Sequence, residues 1–131
     1  MNKLKFIIII TSVLALIMLY GTYSESKLNP FSFKQVTKND PPCLQMHFYI
    51  EKYAEEYNIP LDYAFGLAYE ETGYRGPFHF SYNHKQTSPV GAVGPMQIMP
   101  TTAEWMEQKD VNIQKLKEDI EYNIRISMKL L

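Results

Sequence analysis

The sequence has few of the residues that would build a disulfide scaffold, a metal site or a nucleic-acid interface. It contains one cysteine, Cys43, which cannot form an internal disulfide, so the domain must be held together by packing and Cys43 is expected to be buried. His47, His79 and His84 do not stand in metal-ligand spacing with Cys43, which argues against a zinc site. No run of Lys and Arg resembles a phosphate-binding stripe, and no glycine-rich loop leads into Lys-Ser or Lys-Thr. We therefore expect no nucleic-acid partner, no nucleotide, no metal and no other cofactor.

The charge balance also disfavours a nucleic-acid partner. The chain of 131 residues carries 13 Lys and Arg against 14 Asp and Glu, a net charge of −1. Lys3 and Lys5 belong to the amino-terminal segment, and without these two the remaining 11 basic residues face 14 acidic ones, or −3. Hydrophobic residues make up 46% of the chain, which is enough for the core of one compact domain.

The amino-terminal segment predicts export or membrane attachment. Lys3 and Lys5 precede residues 6–20, an uncharged run dominated by Ile and Leu, and the basic side of such a run stays in the cytoplasm. We interpret residues 1–24 as a hydrophobic helix that acts as a signal peptide or signal anchor, and the weak cleavage-site match at Thr22 and Ser24 favours the anchor. Residues 25–41 are polar and lack periodicity, which predicts a linker. The domain is thus expected outside the cytoplasm, in the cell envelope, either periplasmic or membrane-anchored.

Residues 42–131 predict a mainly α domain, because helical periodicity recurs and no convincing strand or hairpin pattern is present. A first helix is expected over about residues 43–57. A second begins at Pro60, which suits the first helical position, and stops at Gly73, which suits the position after a helix end. Between this helix and the next, residues 74–88 predict a long irregular loop whose aromatic side chains could border a groove or simply pack.

Two further helices are predicted in the last third of the chain. Thr101 and Glu104 have the spacing of a capping box and start a short helix in which Trp105 is expected to join the core. The final helix shows one apolar face, formed by Ile120, Ile124, Ser127, Met128 and Leu131.

Helical phase distinguishes the two adjacent glutamates at the end of the second helix. One face of this helix carries Leu61, Ala64, Phe65 and Ala68. Glu71 follows Ala68 by three positions, so at about 100° per residue it is predicted to point inward, whereas Glu70 is predicted to be solvated. The alternative for Glu71 is a carboxylate that flanks the core or caps a neighbouring element.

Residues 91–100 combine glycines with apolar bulk and one amide. Gly91 and Gly94 permit tight backbone geometry, and Met96 supplies flexible apolar volume. Gln97 is a lone amide in this segment and is expected either to satisfy loop backbone groups or to bind the polar groups of a sugar.

Three segments together resemble the lytic transglycosylases, enzymes with a lysozyme-like helical fold that cut bacterial peptidoglycan. Residues 69–74 look like the family's Glu-Ser motif with Thr72 in place of Ser, residues 91–100 are similar to its Gly-Leu-Met-Gln-Ile-Met-Pro loop with Pro95 in place of Leu, and residues 122–124 resemble its Asn-Ile helix. The resemblance implies that Glu71 is the catalytic acid. It further implies a set of substrate-binding positions, namely Thr72, Ser88, Gly94, Met96, Gln97 and Tyr122.

The resemblance also implies a reaction and a partner. The partner is the glycan strand of peptidoglycan, and the reaction cleaves the bond between N-acetylmuramic acid and N-acetylglucosamine with formation of a 1,6-anhydro ring, with no metal or cofactor. The family's later Ala-Tyr-Asn-type motif does not follow, so the lysozyme-like domain is expected to be incomplete at its C-terminal end. Two alternatives stay open: a non-catalytic peptidoglycan-binding or assembly protein, and a hydrolytic lysozyme. The oligomeric state is not predicted.

Overall fold

The computed structural model describes residues 35–131. The predicted hydrophobic helix within residues 1–24 and the first part of the predicted linker lie outside the described residues. All described residues belong to one compact unit.

Five α-helices account for most of the described chain, which confirms the mainly α prediction. They are α1 (Pro42–Glu56), α2 (Leu61–Thr72), α3 (Pro100–Glu107), α4 (Ile113–Glu118) and α5 (Ile120–Leu130). Within residues 35–131 the only β pairings are two isolated antiparallel bridges, which join Val93 to Thr87 and to Ile98. None of the helices in this part of the chain is long and apolar enough to cross a membrane.

The ends of the first two helices follow from proline and glycine. Pro42 begins α1 at a position where its missing N–H costs no helical hydrogen bond. Pro60 immediately precedes α2 instead of forming its first residue, one position from the prediction. Gly73 ends α2 in the left-handed conformation with a φ of 70°, and its N–H donates back to the carbonyl of Tyr69 at 2.8 Å. The predicted stop at Gly73 is therefore confirmed.

The main core lies between α1, α2 and α5. Cys43 is fully buried, as predicted from its lack of a partner cysteine. Val36 also belongs to this core, so the end of the predicted linker packs against the helices. The other large buried side chains of the three helices are Met46, Tyr49, Ile50, Tyr53, Ile120, Ile124 and Met128. The predicted apolar face of the last helix is confirmed except at Leu131, which follows the helix and is 52% exposed.

A second, smaller cluster joins α3 and α4 to α5. It is built from Val93, Ile98, Ala103, Leu116 and Ile126. Two caps missing from the sequence prediction start the helices here: Asn112 accepts from the N–H of Lys115 at 2.9 Å, and Asp119 accepts from the N–H of Tyr122 at 3.1 Å.

Two predictions for α3 are wrong. The helix begins at Pro100 with Met99 as its cap residue and no side-chain cap bond, so Thr101 and Glu104 form no capping box. Trp105 is 72% exposed instead of buried. Because α3 packs through Ala103, a residue two positions later points about 200° away from the core.

Candidate functional site

The two glutamates at the end of α2 are both exposed. The prediction that Glu71 points into the interior is therefore wrong. Ala64 and Ala68 are fully buried, but Glu71 lies in the last turn, at the edge of this buried arc, where the core no longer covers the helix. That turn contains no basic residue, so two carboxylates stand at the negative end of the helix dipole, which disfavours them. Glu71 stands at the surface, at the C-terminal end of α2.

Thr72 ties the end of α2 to the glycine-rich loop. Its hydroxyl donates to the carbonyl of Pro95 at 2.8 Å. A hydroxyl has one proton, so in the 2.7 Å bond between Thr72 and Tyr82 the phenol is the donor. Tyr82 is buried, and this burial raises the pKa of its phenol to about 12. The residue beside Glu71 thus joins α2, the irregular loop and the 91–100 loop.

A second connection runs through Gln86. Its side-chain amide donates to the carbonyl of Thr72 at 3.0 Å and to that of Asn83 at 2.9 Å. Its backbone carbonyl accepts from the N–H of Gly94 at 3.0 Å. Residues 74–88 contain no helix, which confirms the predicted irregular loop, and Gln86 fixes its far end between α2 and the 91–100 loop.

The 91–100 loop is held in a closed turn. Val93 and Ile98 exchange backbone hydrogen bonds at 3.0 and 3.2 Å. Gln97 lies between them with a φ of 48°, a left-handed conformation that is uncommon for residues other than glycine. Its side-chain amide donates to the carbonyl of Gly94 at 2.8 Å, and its side-chain oxygen bonds to none of the described residues. One of the two predicted roles of Gln97, satisfying loop backbone groups, is therefore observed.

Asn123 of α5 supports this loop from the interior. It is fully buried, and its side-chain oxygen accepts from the N–H of Met96 at 3.0 Å. Its side-chain nitrogen donates to the carbonyls of Val93 at 3.0 Å and Leu116 at 2.9 Å. All three bonds are made inside the protein, where an unsatisfied polar group would be costly.

Gly94 permits the close approach between the loop and α5. Its φ is 78°, and a Cβ atom at this position would collide with the side chain of Asn123 and lie 2.9 Å from the carbonyl oxygen of Leu116. Glycine is required here both by conformation and by space.

Ser88, Met96 and Tyr122 occupy different surroundings. Ser88 is half-buried and accepts from the N–H of Ala92 at 3.0 Å, which closes the turn before the loop. Met96 is 4% exposed and belongs to the main core. The ring of Tyr122 packs against the second cluster, with the Nζ of Lys115 4.7 Å and the Cζ of Arg125 5.6 Å from its centroid.

The structure thus brings together Thr72, Gly94, Met96 and Gln97 at the end of α2. It adds three residues that were not among the predicted site residues: Tyr82, Gln86 and Asn123. The signal that could have pointed to Asn123 is an amide inside the apolar face of the last helix, where a polar side chain needs partners. Among residues 35–131, no three His, Cys, Asp or Glu side chains are grouped as metal ligands.

In a comparison with known protein families, residues 48–131 match the model of the Transglycosylase SLT domain. Comparisons with curated proteins and with solved structures gave no match. The match covers more than half of the chain and confirms both the predicted family and the lysozyme-like fold. It supports a transglycosylase-type function directed at the peptidoglycan of the cell envelope. The chain therefore belongs to the Transglycosylase SLT domain family.

Proposed function

We propose that the protein is a peptidoglycan lytic transglycosylase in which Glu71 acts first as general acid and then as general base. The observation that carries the proposal is the 2.8 Å hydrogen bond from Thr72 to the carbonyl of Pro95. It joins the two segments whose motifs point to this chemistry, so the carboxyl of Glu71 and the 91–100 loop lie at the same end of α2.

The reaction needs one carboxyl group from the protein. Glu71 donates its proton to the glycosidic oxygen, and the bond between that oxygen and the anomeric carbon of N-acetylmuramic acid breaks with an oxocarbenium-like transition state. The carboxylate then removes the proton of the 6-hydroxyl of the same sugar. That oxygen attacks the anomeric carbon and closes the 1,6-anhydro ring, so no water is consumed. The substrate's acetamido group can stabilise the transition state, which removes the need for a second carboxylate.

The exposure of Glu71 fits a site that the substrate completes. A bound glycan would displace water from the end of α2, and a carboxylic acid in a dry environment favours its neutral, proton-donating form. The side-chain oxygen of Gln97 is available to a sugar hydroxyl or amide. Of the predicted substrate-binding positions, we propose direct contacts for Thr72, Ser88, Gln97 and Tyr122. Gly94 and Met96 are buried and would act by holding the loop in place. We further propose that residues 1–24 export or anchor the domain and that it acts outside the cytoplasm.

The test compares Glu71→Gln with Glu70→Gln on purified peptidoglycan. Both side chains are exposed and adjacent, so the two variants lose the same charge at the same helix end. Loss of anhydro-muropeptides in Glu71→Gln, with retention in Glu70→Gln, is expected from mass spectrometry of the digest. Equal activity of the two variants would reject Glu71 as the catalytic residue. Reducing ends in place of anhydro ends would instead identify a hydrolytic lysozyme.

The same exposure favours one alternative, a domain that binds peptidoglycan without cutting it. An exposed carboxyl at a helix end is also what a non-catalytic surface would show. Sedimentation with insoluble peptidoglycan distinguishes the two functions, because a binding domain would be retained by the wall while releasing no soluble fragment.

A further inference from the structure

A charged groove opens at the far end of the irregular loop. Its volume is about 580 Å³, within the range of small-ligand sites, and its wall is formed by the segment before α1, the start of α1, residues 84–85 and α4. Half-buried His84 and the apolar side chain of Ile120 contribute to its lining. The charged side chains that line it comprise three cations and three anions, namely Lys38, Lys85, Lys115, Asp40, Glu118 and Asp119.

Charges of opposite sign are adjacent in this groove. The Nζ atom of Lys38 lies 3.2 Å from a carboxylate oxygen of Asp119, and that of Lys85 lies 3.3 Å from one of Glu118. The side chain of Asp119 is only 18% exposed, so part of this charge is shielded from bulk water. A polyanion is disfavoured, because a carboxylate lies beside each of these lysines. An apolar ligand is also disfavoured, because its binding would remove water from six charged groups. A ligand that carries both an ammonium group and carboxylates can instead pair with both members of each bridge.

The groove begins close to the end of α2. Lys85 precedes Gln86, whose side-chain amide is hydrogen-bonded to the carbonyl of Thr72 at 3.0 Å. Thr72 directly follows Glu71. The hydrogen bond between Thr72 and Gln86 thus connects the residue after Glu71 to the residue after Lys85, at the near edge of the groove.

We propose that this groove binds the stem peptide of peptidoglycan, the short peptide with free amine and carboxylate groups that branches from the muramic sugar. The proposal rests on the proposed function, since it takes the glycan to lie at Glu71. An extended peptide of four residues reaches at most about 14 Å, which lets it leave the sugar and follow the groove. The groove would thus favour glycan strands whose peptides are not cross-linked, and would disfavour bare glycan without peptides.

The test measures binding of a free stem tetrapeptide to the full chain carrying Glu71→Gln, so that no cleavage intervenes. Wild-type groove residues should bind the peptide, and Lys85→Gln should weaken the affinity about threefold to tenfold through loss of a charge-assisted contact. Lys129→Gln is the matched control, because Lys129 is an exposed lysine on α5 that does not line the groove, and it should leave the affinity unchanged. A peptide with amidated carboxyl groups should bind more weakly, with little further loss in Lys85→Gln.

Two results would overturn the inference: no binding of the peptide at millimolar concentration, or equal weakening by Lys85→Gln and Lys129→Gln. A failure of the proposed catalytic role of Glu71 would give a different result. A chain that binds the peptide through the groove but releases no anhydro-muropeptides from walls when Glu71 is intact retains the groove assignment and loses the catalytic one.

Discussion

The side-chain oxygen of Asn123 lies 3.0 Å from the backbone nitrogen of Met96, and this contact joins α5 to the centre of the 91–100 loop. The other end of the same amide bonds to Val93 and Leu116. One buried side chain therefore determines how the loop sits on the domain, although it is separated by 27 residues from its partner in the loop. The loop's position depends on the interior as much as on its own glycines.

Asn123→Ala should therefore destabilise the protein strongly. The change leaves the N–H of Met96 without its acceptor and removes the side-chain donor from the carbonyls of Val93 and Leu116. The Val93 carbonyl keeps its bond from the N–H of Ile98, but an unsatisfied buried group such as the N–H of Met96 costs about 1–3 kcal/mol, and the other lost bonds add to that. We expect the free energy of unfolding in urea to fall by about 3 kcal/mol or more. Asn83→Ala is the control, since Asn83 is exposed and makes a single side-chain bond as acceptor, to the N–H of Lys85 at 3.0 Å. Comparable losses in the two variants would contradict the structural role of Asn123.

Local patterns in the sequence predicted four of the five described helices, but not α4, and predicted the site only in part. Periodicity and Gly73 gave the end of α2, because a helix end depends on residues close in the chain. The same periodicity wrongly predicted that Glu71 points inward, because burial in the last turn depends on how far neighbouring elements extend. Trp105 illustrates the same difficulty: its apolar character suggested burial, yet the tertiary contact of α3 runs through Ala103. The bonds of Thr72 and Asn123 join distant segments, which no local pattern can show.

The two glycines of the loop should respond differently to alanine. Both have positive φ, 92° for Gly91 and 78° for Gly94, so alanine is strained at either position. A Cβ at Gly91 has no atom within 4 Å, whereas at Gly94 it would collide with Asn123. We expect Gly91→Ala to cost about 1 kcal/mol and Gly94→Ala at least about 2 kcal/mol more, measured by urea unfolding. Equal costs would mean that the loop and α5 are not in contact in solution.

Thr72 offers a test of whether the bond to Pro95 matters for catalysis beyond stability. Thr72→Val keeps the shape of the side chain but removes the hydroxyl, which leaves the carbonyl of Pro95 and the phenol of Tyr82 without this partner. We expect a loss of about 1–3 kcal/mol in the free energy of unfolding, together with reduced release of anhydro-muropeptides.

Thr72→Ser is the matched variant for this test, because it retains the hydroxyl and removes only a methyl group. It should restore both hydrogen bonds and most of the cleavage. If Thr72→Val, still folded at the assay temperature, cut walls as fast as the wild type, the contact between α2 and the loop would be structural only.

The buried phenol of Tyr82 makes the fold sensitive to high pH. Burial raises its pKa to about 12 in the folded chain, against about 10 for an exposed tyrosine. Between these two pH values the Tyr82 phenol has lost its proton in the unfolded chain and still holds it in the folded chain. The contribution of Tyr82 to the free energy of unfolding is therefore fully present below pH 10 and is lost as the pH rises through 12. We expect the free energy of unfolding to fall in that window by up to about 1.4 kcal/mol per pH unit from Tyr82 alone.

Tyr74 adds to the alkaline loss in the same direction, because burial also raises the pKa of its phenol. Tyr82→Phe removes one of these buried phenols and should therefore flatten the decline between pH 10 and 12, although it lowers the stability at neutral pH by removing the bond to Thr72. Tyr63→Phe is the matched control, since the ring of Tyr63 is 56% exposed. Urea unfolding at several pH values separates the two effects, because the lost bond shifts the whole curve while the lost ionisation changes only its slope. If the slope of the free energy of unfolding against pH were unchanged in Tyr82→Phe, the phenol of Tyr82 would be in contact with water in the folded chain. Thr72, Tyr82 and Pro95 would then not form one closed hydrogen-bonded unit.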